Sequence, residues 1–234
     1  MLGLIPIRGI GEVRPGDELA TLVARAADDQ GTPLADGDCV VVTQKVVSKA
    51  EGRLVDLDPD DLGARRALVE RESRRIVRRR GDLIISETHH GFVCANAGID
   101  LSNVAAGQAA LLPVDPDRSA HHVRNALAAR HGVDVAVIVS DTFGRPWRLG
   151  LTDVAIGVAG IAAVVDLRGT PDALGRELHV TEVAIADEIA GAAELVMGKS
   201  TGVPAAIVRG LEASWFGVGS ARDLVRDPRD DLFR

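Results

Sequence analysis

The chain has 234 residues, 46% of them hydrophobic, and a formal charge of −7. That is enough apolar material for a sizeable core, in one large domain or two small ones. No apolar run approaches the roughly 18–20 residues that span a bilayer, and the start MLGLIPIRGIGEVRPGDE lacks the basic, apolar and cleavage regions of a signal peptide, so membrane is excluded and the cytoplasm expected. The acidic balance, with no basic block interleaved with aromatics, excludes nucleic acid as a partner.

In chain order, residues 2–7 read as a strand and 17–29 as a helix entered through Pro15 and Gly16. Residues 39–47 are β-rich and end in SKAEGR. Residues 60–80 are strongly charged, with Leu62, Leu68, Val69, Ile76 and Val77 spaced for one helical face, so RRESRRIVRRR suits a solvated helix face ahead of an anion site. Short strands are expected at 82–86 and 91–97, a helix at 120–130, and a buried strand at 134–140 running into DTFGR. Apolar runs at 154–159 and 162–166 flank Gly160. A helix is expected at 182–197, a strand at 205–208, and the charged end suits a tail or linker over 212–234. Strands outnumber helices without alternating strictly with them, which favours an α+β fold over a doubly wound parallel sheet.

Several familiar patterns fail. Gly198-Lys199-Ser200 ends like a phosphate-binding P-loop, but Ala193 stands where the first glycine belongs, and the tripeptide closes a helix instead of opening one. Gly9-Ile10-Gly11 and Gly217-Val218-Gly219 lack the third glycine of a dinucleotide fingerprint, with Arg14 and Arg222 in its place. His89-His90 and His121-His122 are adjacent pairs whose side chains diverge, so no zinc site forms. Cys39 and Cys94 each sit inside an apolar run and read as buried, inert thiols.

Four segments set polar groups beside apolar strands. In residues 43–53, Lys49 and Arg53 suit either phosphate contact or an exposed strand end. The only lysines are Lys45, Lys49 and Lys199. In residues 96–103, Asp100 and Asn103 suit either hard oxygen ligation of Mg²⁺ or Mn²⁺ or an Asx turn. In residues 140–148, Asp141 follows a buried strand, with Thr142, Arg145 and Arg148 behind it, which suits a metal–phosphate group or a strand-capping turn. Residues 167–177 suit a substrate loop or a surface loop. Asp187-Glu188 reads as a solvated helix pair or a metal ligand.

Taken together, VVSKAEGR, NAGIDLSNV, LLPVDPDRSA, SDTFGRPWRLG, GRELHVTEVAIADEIA and VPAAIVRG, in this order, resemble the coenzyme F420:L-glutamate ligase family from about residue 5 to residue 211. In detail they resemble the actinobacterial-type ligase domain, which is often fused to a flavin-binding C-terminal domain; the charged end, 222–234, fits a linker. The resemblance implies a mixed-sheet fold of two interlocked subdomains with no Walker-type P-loop, spanning residues 1–211, in a homodimer. It implies that L-glutamate is joined to the phospholactyl carboxylate of the F420 precursor, with further γ-linked glutamates able to follow. GTP would be co-substrate, with two Mg²⁺ or Mn²⁺ ions and K⁺ as cofactors. It places Asp100 and Asp141 on metal positions and Thr142 on a second-metal position. Ile10, Gly11, Glu12, Val13, Gln44, Lys49 and Asn103 fall on guanine-nucleotide positions, and Lys49 and Arg145 would add positive charge to phosphoryl transfer. Two residues depart from the family: Gln44 replaces the serine of some members, and Lys199 replaces a metal-ligating glutamate of archaeal ones. A metal-dependent nucleotide phosphohydrolase and a non-enzymatic deazaflavin-binding module are the alternatives.

Overall fold

A computed structural model describes residues 1–232. Its centre is a five-stranded sheet of β1 (Gly3–Ile7), β12 (Ala205–Arg209), β2 (Cys39–Thr43), β8 (Ala136–Arg145) and β9 (Arg148–Ala159), in that order. β2 and β8 run parallel; the other neighbours are antiparallel. Cys39–Val42 and Ala136–Val139 are wholly buried, as continuous apolar runs in a central parallel pair should be. Helices α1 (Leu19–Asp29), α4 (Pro116–His131) and α5 (Ile185–Met197) cover this sheet. α4 carries complete punctuation: the Asp115 side chain accepts from Arg118 N, Pro116 opens the helix, and Gly132 closes it at φ 68°.

Between β2 and α4 the chain builds a smaller layer. It holds α2 (Gln44–Ala50), β3 (Leu54–Asp56), α3 (Leu62–Arg71), β4 (Ser73–Arg80), β5 (Leu83–Thr88), β6 (Val93–Ala95) and β7 (Gln108–Ala110). β3 pairs with β7, and β4, β5 and β6 form an antiparallel sheet. Two small apolar clusters sit here, one around Leu57, Leu68 and Leu111, the other around Val69, Ile84 and Ala97. The two-residue strands β10 (Val165–Asp166) and β11 (Glu182–Val183) close a projecting loop before α5. The α+β class and mixed sheet expected from sequence are what the chain forms. Gly198-Lys199-Ser200 follows α5 and leads to Pro204, so no P-loop exists there.

Three expected elements differ. The strand read over 39–47 stops at Thr43, and Gln44–Ala50 is helical. Its valines cost a helix only about 0.5 kcal/mol each, while the turn buries Val47 and lets Ser48 Oγ donate to Leu111 O at 2.6 Å. The single helix read over 60–80 is α3 followed by strand β4. Ile76 packs with Val69 and Ile84, and Arg74 and Arg75 reach the buried Glu87 from β4. The helix read from residue 182 begins at Ile185, after β11.

β9 is an edge of the sheet, and side chains satisfy its outer backbone. Asp187 accepts from Ala155 N and Asp117 accepts from Val158 N, both at 2.8 Å. Asp187 thus caps the strand edge, and it does not line the cavity described below. Asp117 also accepts from Ser220 Oγ at 2.6 Å and Ala221 N at 3.0 Å. With Ala162 N donating to Trp215 O at 2.8 Å and Ala221 buried, the segment expected as a tail folds back onto the body as far as Val225. Phe233 and Arg234, at the end of that expected tail, lie outside the described residues.

Gly157 lets α4 lie close on β9: an added Cβ would sit 2.2 Å from Pro116 O and 2.4 Å from Pro116 C. Backbone atoms cannot swing away, so Gly157→Ala is expected to cost about 1–3 kcal/mol. The urea midpoint should fall with an unchanged slope.

Candidate active site

A cavity of about 770 Å³ opens at the carboxyl ends of β2 and β8, the crevice where sheets with parallel strands commonly bind ligands. Its wall gathers pieces far apart in sequence: Ile10–Val13 after β1, Thr43–Val46 and Lys49 from the β2–α2 junction, Asp100, Ser102 and Asn103 before β7, and Ser140–Thr142 of β8. Leu151 and Asp153 of β9, Glu194 and Gly198–Ser200 at the end of α5, and Gly202–Pro204 before β12 complete it. Every residue that the family resemblance places at the site, except Arg145, lines this cavity; Arg148 and residues 167–177 do not. Arg145 lies at the β8–β9 hairpin tip, where Nη2 donates to Leu149 O at 2.5 Å, and it does not line the cavity. Arg53 is likewise elsewhere, paired with Glu72 at 2.9 Å.

The bend at residues 96–103 carries Asp100 into place. Asn96, Ala97 and Asn103 take left-handed backbone angles, and Asp100 and Ala110 exchange backbone hydrogen bonds at 3.0 and 2.8 Å. Lys45 Nζ donates to Asp100 Oδ2 and to Ser102 Oγ, both at 2.8 Å, and Ser102 N donates to Asp100 Oδ1 at 2.7 Å. Burial pushes the Asp100 carboxyl up, but Lys45 and Ser102 outweigh it and hold the group below its usual range.

Asp141 has the opposite environment. Burial pushes its carboxyl up to about 7, the Asp100 and Asp153 charges add to this, and the Thr142 N–H only partly opposes it. Among the described residues Asp141 has no ion pair. Beside it, Asp153 is 2% exposed and accepts three bonds, from Thr142 Oγ1 at 2.6 Å, Lys199 Nζ at 2.6 Å and Ser140 Oγ at 3.3 Å. Lys199 Nζ also meets Glu194 Oε1 at 2.9 Å. Partial burial would lower the Lys199 pKa, but Asp153 and Glu194 raise it, so it stays an ammonium.

On the opposite wall, Lys49 is 6% exposed and donates to Glu12 Oε1 at 2.5 Å. Gln44 is 2% exposed, and its Nε2 has no hydrogen-bond partner among the described residues. A buried donor left unpaired is costly, of order 1–3 kcal/mol, and Gln44 is one of the residues that line the cavity. The cysteines take no part: both are buried, and burial pushes the Cys94 thiol up to about 12 and Cys39 further.

Sequence reasoning missed Ser140, Asp153 and Glu194 and gave Lys45 no role. Asp153 did leave a signal, as the only charged residue in the apolar stretch Leu151–Ala159. Glu194 left none; it is one more acid on an amphipathic helix.

The lining carries five carboxylates, of Glu12, Asp100, Asp141, Asp153 and Glu194, against three ammoniums. Among the described residues no three Asp, Glu, His or Cys side chains form a ready-made metal cage. Mg²⁺-type ions are typically held by one or two carboxylates together with substrate phosphates, so the unpaired Asp141 beside Asp100 fits such an ion.

Residues 9–210 match the family described as F420-0:gamma-glutamyl ligase. The chain is 45% identical over its whole length to the coenzyme F420:L-glutamate ligase of Methanothermobacter thermautotrophicus, covering 99% of that protein. It is 45% identical to the same-named protein of Methanopyrus kandleri, over 95% of this chain and 94% of that one. The Methanocaldococcus jannaschii counterpart is 42% identical over 86% of each.

Proposed function

The chain belongs to the F420-0:gamma-glutamyl ligase family, and on that footing we propose that it joins L-glutamate to the phospholactyl carboxylate of the F420 precursor, with GTP as co-substrate and a divalent ion at Asp141. The observation that carries this reading is the make-up of this cavity. Its lining combines carboxylates and hydroxyls with a buried lysine and a glutamine whose amide nitrogen is unpaired among the described residues.

A carboxylate does not condense with an amine unaided, because its oxygen is a poor leaving group. In the proposed course the precursor's carboxylate oxygen attacks the γ-phosphorus of GTP and GDP departs. The glutamate nitrogen then attacks the carbonyl carbon of the acyl phosphate, phosphate leaves, and the nitrogen gives up its proton. This scheme needs no nucleophile from the protein, and the inert cysteines agree with it. Lys49 and the backbone of Ile10–Val13 would hold the nucleotide, with Gln44 Nε2 and Asn103 supplying polar contacts. Asp100 and Asp141 would hold the divalent ion, which supplies positive charge to phosphate oxygens. That supply matters here, since the lining itself is net negative and would repel a triphosphate. Lys45 anchors Asp100.

The test is mass spectrometry after incubation with glutamate-free F420 precursor, L-glutamate, GTP and Mn²⁺. The expected result is a glutamyl mass increase that requires both GTP and metal. GTP hydrolysis without glutamyl addition would favour a phosphohydrolase. Tight binding of the precursor with GTP left intact would favour a binding module.

A further inference from the structure

Lys199 follows directly on the end of α5. Gly198 ends α5 at φ 63° and turns the chain back over the cavity. The ammonium then lies among three oxygens: Thr142 Oγ1 at 2.5 Å, Asp153 Oδ1 at 2.6 Å and Glu194 Oε1 at 2.9 Å. Two carboxylates and a hydroxyl are the donors a hard divalent cation would take. Here they surround a nitrogen that has three protons to give and no lone pair to offer a metal. Lys199 is also the cation paired with Asp153, which is 2% exposed. Expelling it would leave that buried charge uncompensated. Asp141, next to this cluster, has no ion pair among the described residues.

We infer that this chain holds one divalent ion, at Asp141 with Asp100 beside it, and that the Lys199 ammonium fills the place a second divalent ion would occupy on Thr142, Asp153 and Glu194. The inference rests on the metal reading above. With its three protons spent on the three oxygens, Lys199 acts through its charge, a fixed +1 where a second ion would bring +2. The protein then needs to recruit only one ion per turnover. That replaces the paired-ion arrangement expected from family resemblance.

The experiment is a titration of the full chain with Mn²⁺ alone, counting bound ions from the loss of the free-ion EPR signal. Wild type should bind one Mn²⁺ per chain with the spectrum of an isolated ion. Lys199→Met, which keeps the length and removes the charge, should bind two, with the spin-coupled spectrum of neighbouring ions. Lys199→Arg should stay at one. Two ions per wild-type chain, or no second ion in a folded Lys199→Met, would overturn the inference and leave the divalent-ion reading standing. No Mn²⁺ bound to wild type would overturn both. Should Lys199→Met not fold, the wild-type count still decides.

Discussion

Asp141→Asn is expected to lower the ligation rate at least about a hundredfold, the scale of losing one strong electrostatic contact to the reacting groups, while making the metal-free protein more stable. The two effects share a cause. The Asp141 carboxyl is lifted from 3.8 to about 7, first by burial and then by Asp100 and Asp153. A carboxyl with a raised folded-state pKa favours folding fully only while protonated. Below about pH 4 it is protonated in both folded and unfolded chains. Between about pH 4 and pH 7 the unfolded chain releases its proton and the folded chain resists, so stability falls as pH rises. Asparagine has no such cost. Metal-free Asp141→Asn should therefore melt above wild type at pH 8 and level with it near pH 4. Adding Mn²⁺ should narrow the gap at pH 8, because a ligand at a hundred times its Kd stabilises wild type by about 2.7 kcal/mol and the variant has lost the anchor. Melting curves with and without Mn²⁺ at the two pH values check both signs. A variant that melts below wild type without metal would show that Asp141 is paired inside the protein, and would remove the reason for placing an ion there.

The same contrast explains what was legible in the sequence. The strand at the heart of the sheet was readable, because a continuous apolar run such as Val135–Val139 has few other fates in a chain of this size. The α4 helix was readable in its middle, while its true start lay in the Asp115-Pro116 cap. The β2–α2 junction was not readable: Val46 and Val47 favour a strand locally, and only the packing of Val47 and the Ser48 bond to Leu111 O select the helix. Strand β4 was hidden for a similar reason, since arginines are good helix formers and their attachment to Glu87 across β5 is a tertiary fact. Within the site, Asp100, Asp141 and Thr142 stood out by adjacency to apolar strands. Arg145 stood out equally but points away at the hairpin tip, because β8 and β9 shift register just before it. Ligands of side chains, such as Asp153 and Glu194, are set by what crosses the cavity, and nothing in their own neighbourhoods announces that.

Asp153→Asn gives the complementary expectation, a loss of activity together with a loss of stability. Asp153 sits directly opposite Thr142 in the β8–β9 ladder, and it accepts from Thr142 Oγ1, Lys199 Nζ and Ser140 Oγ. A carboxylate can accept from all three. An amide offers one acceptor and turns two N–H groups toward the same donors. One donor is left unpaired, at about 1–3 kcal/mol, and Lys199 keeps only Glu194 as its counter-charge. Thr142 Oγ1 and Lys199 Nζ share Oδ1, so the amide oxygen keeps both bonds while Ser140 Oγ loses its acceptor and Lys199 loses a counter-charge. Outer supports of this kind typically cost about 10–100-fold in activity when altered. The expected result is a kcat lower by that factor and a urea midpoint below wild type, with or without metal. Asp141 and Asp153 are two acids of one cavity, the first partly and the second fully buried, twelve residues apart along a hairpin, yet their asparagine variants should move metal-free stability in opposite directions. The difference lies in partners, since one carboxylate has a cation built in and the other is held ready for one.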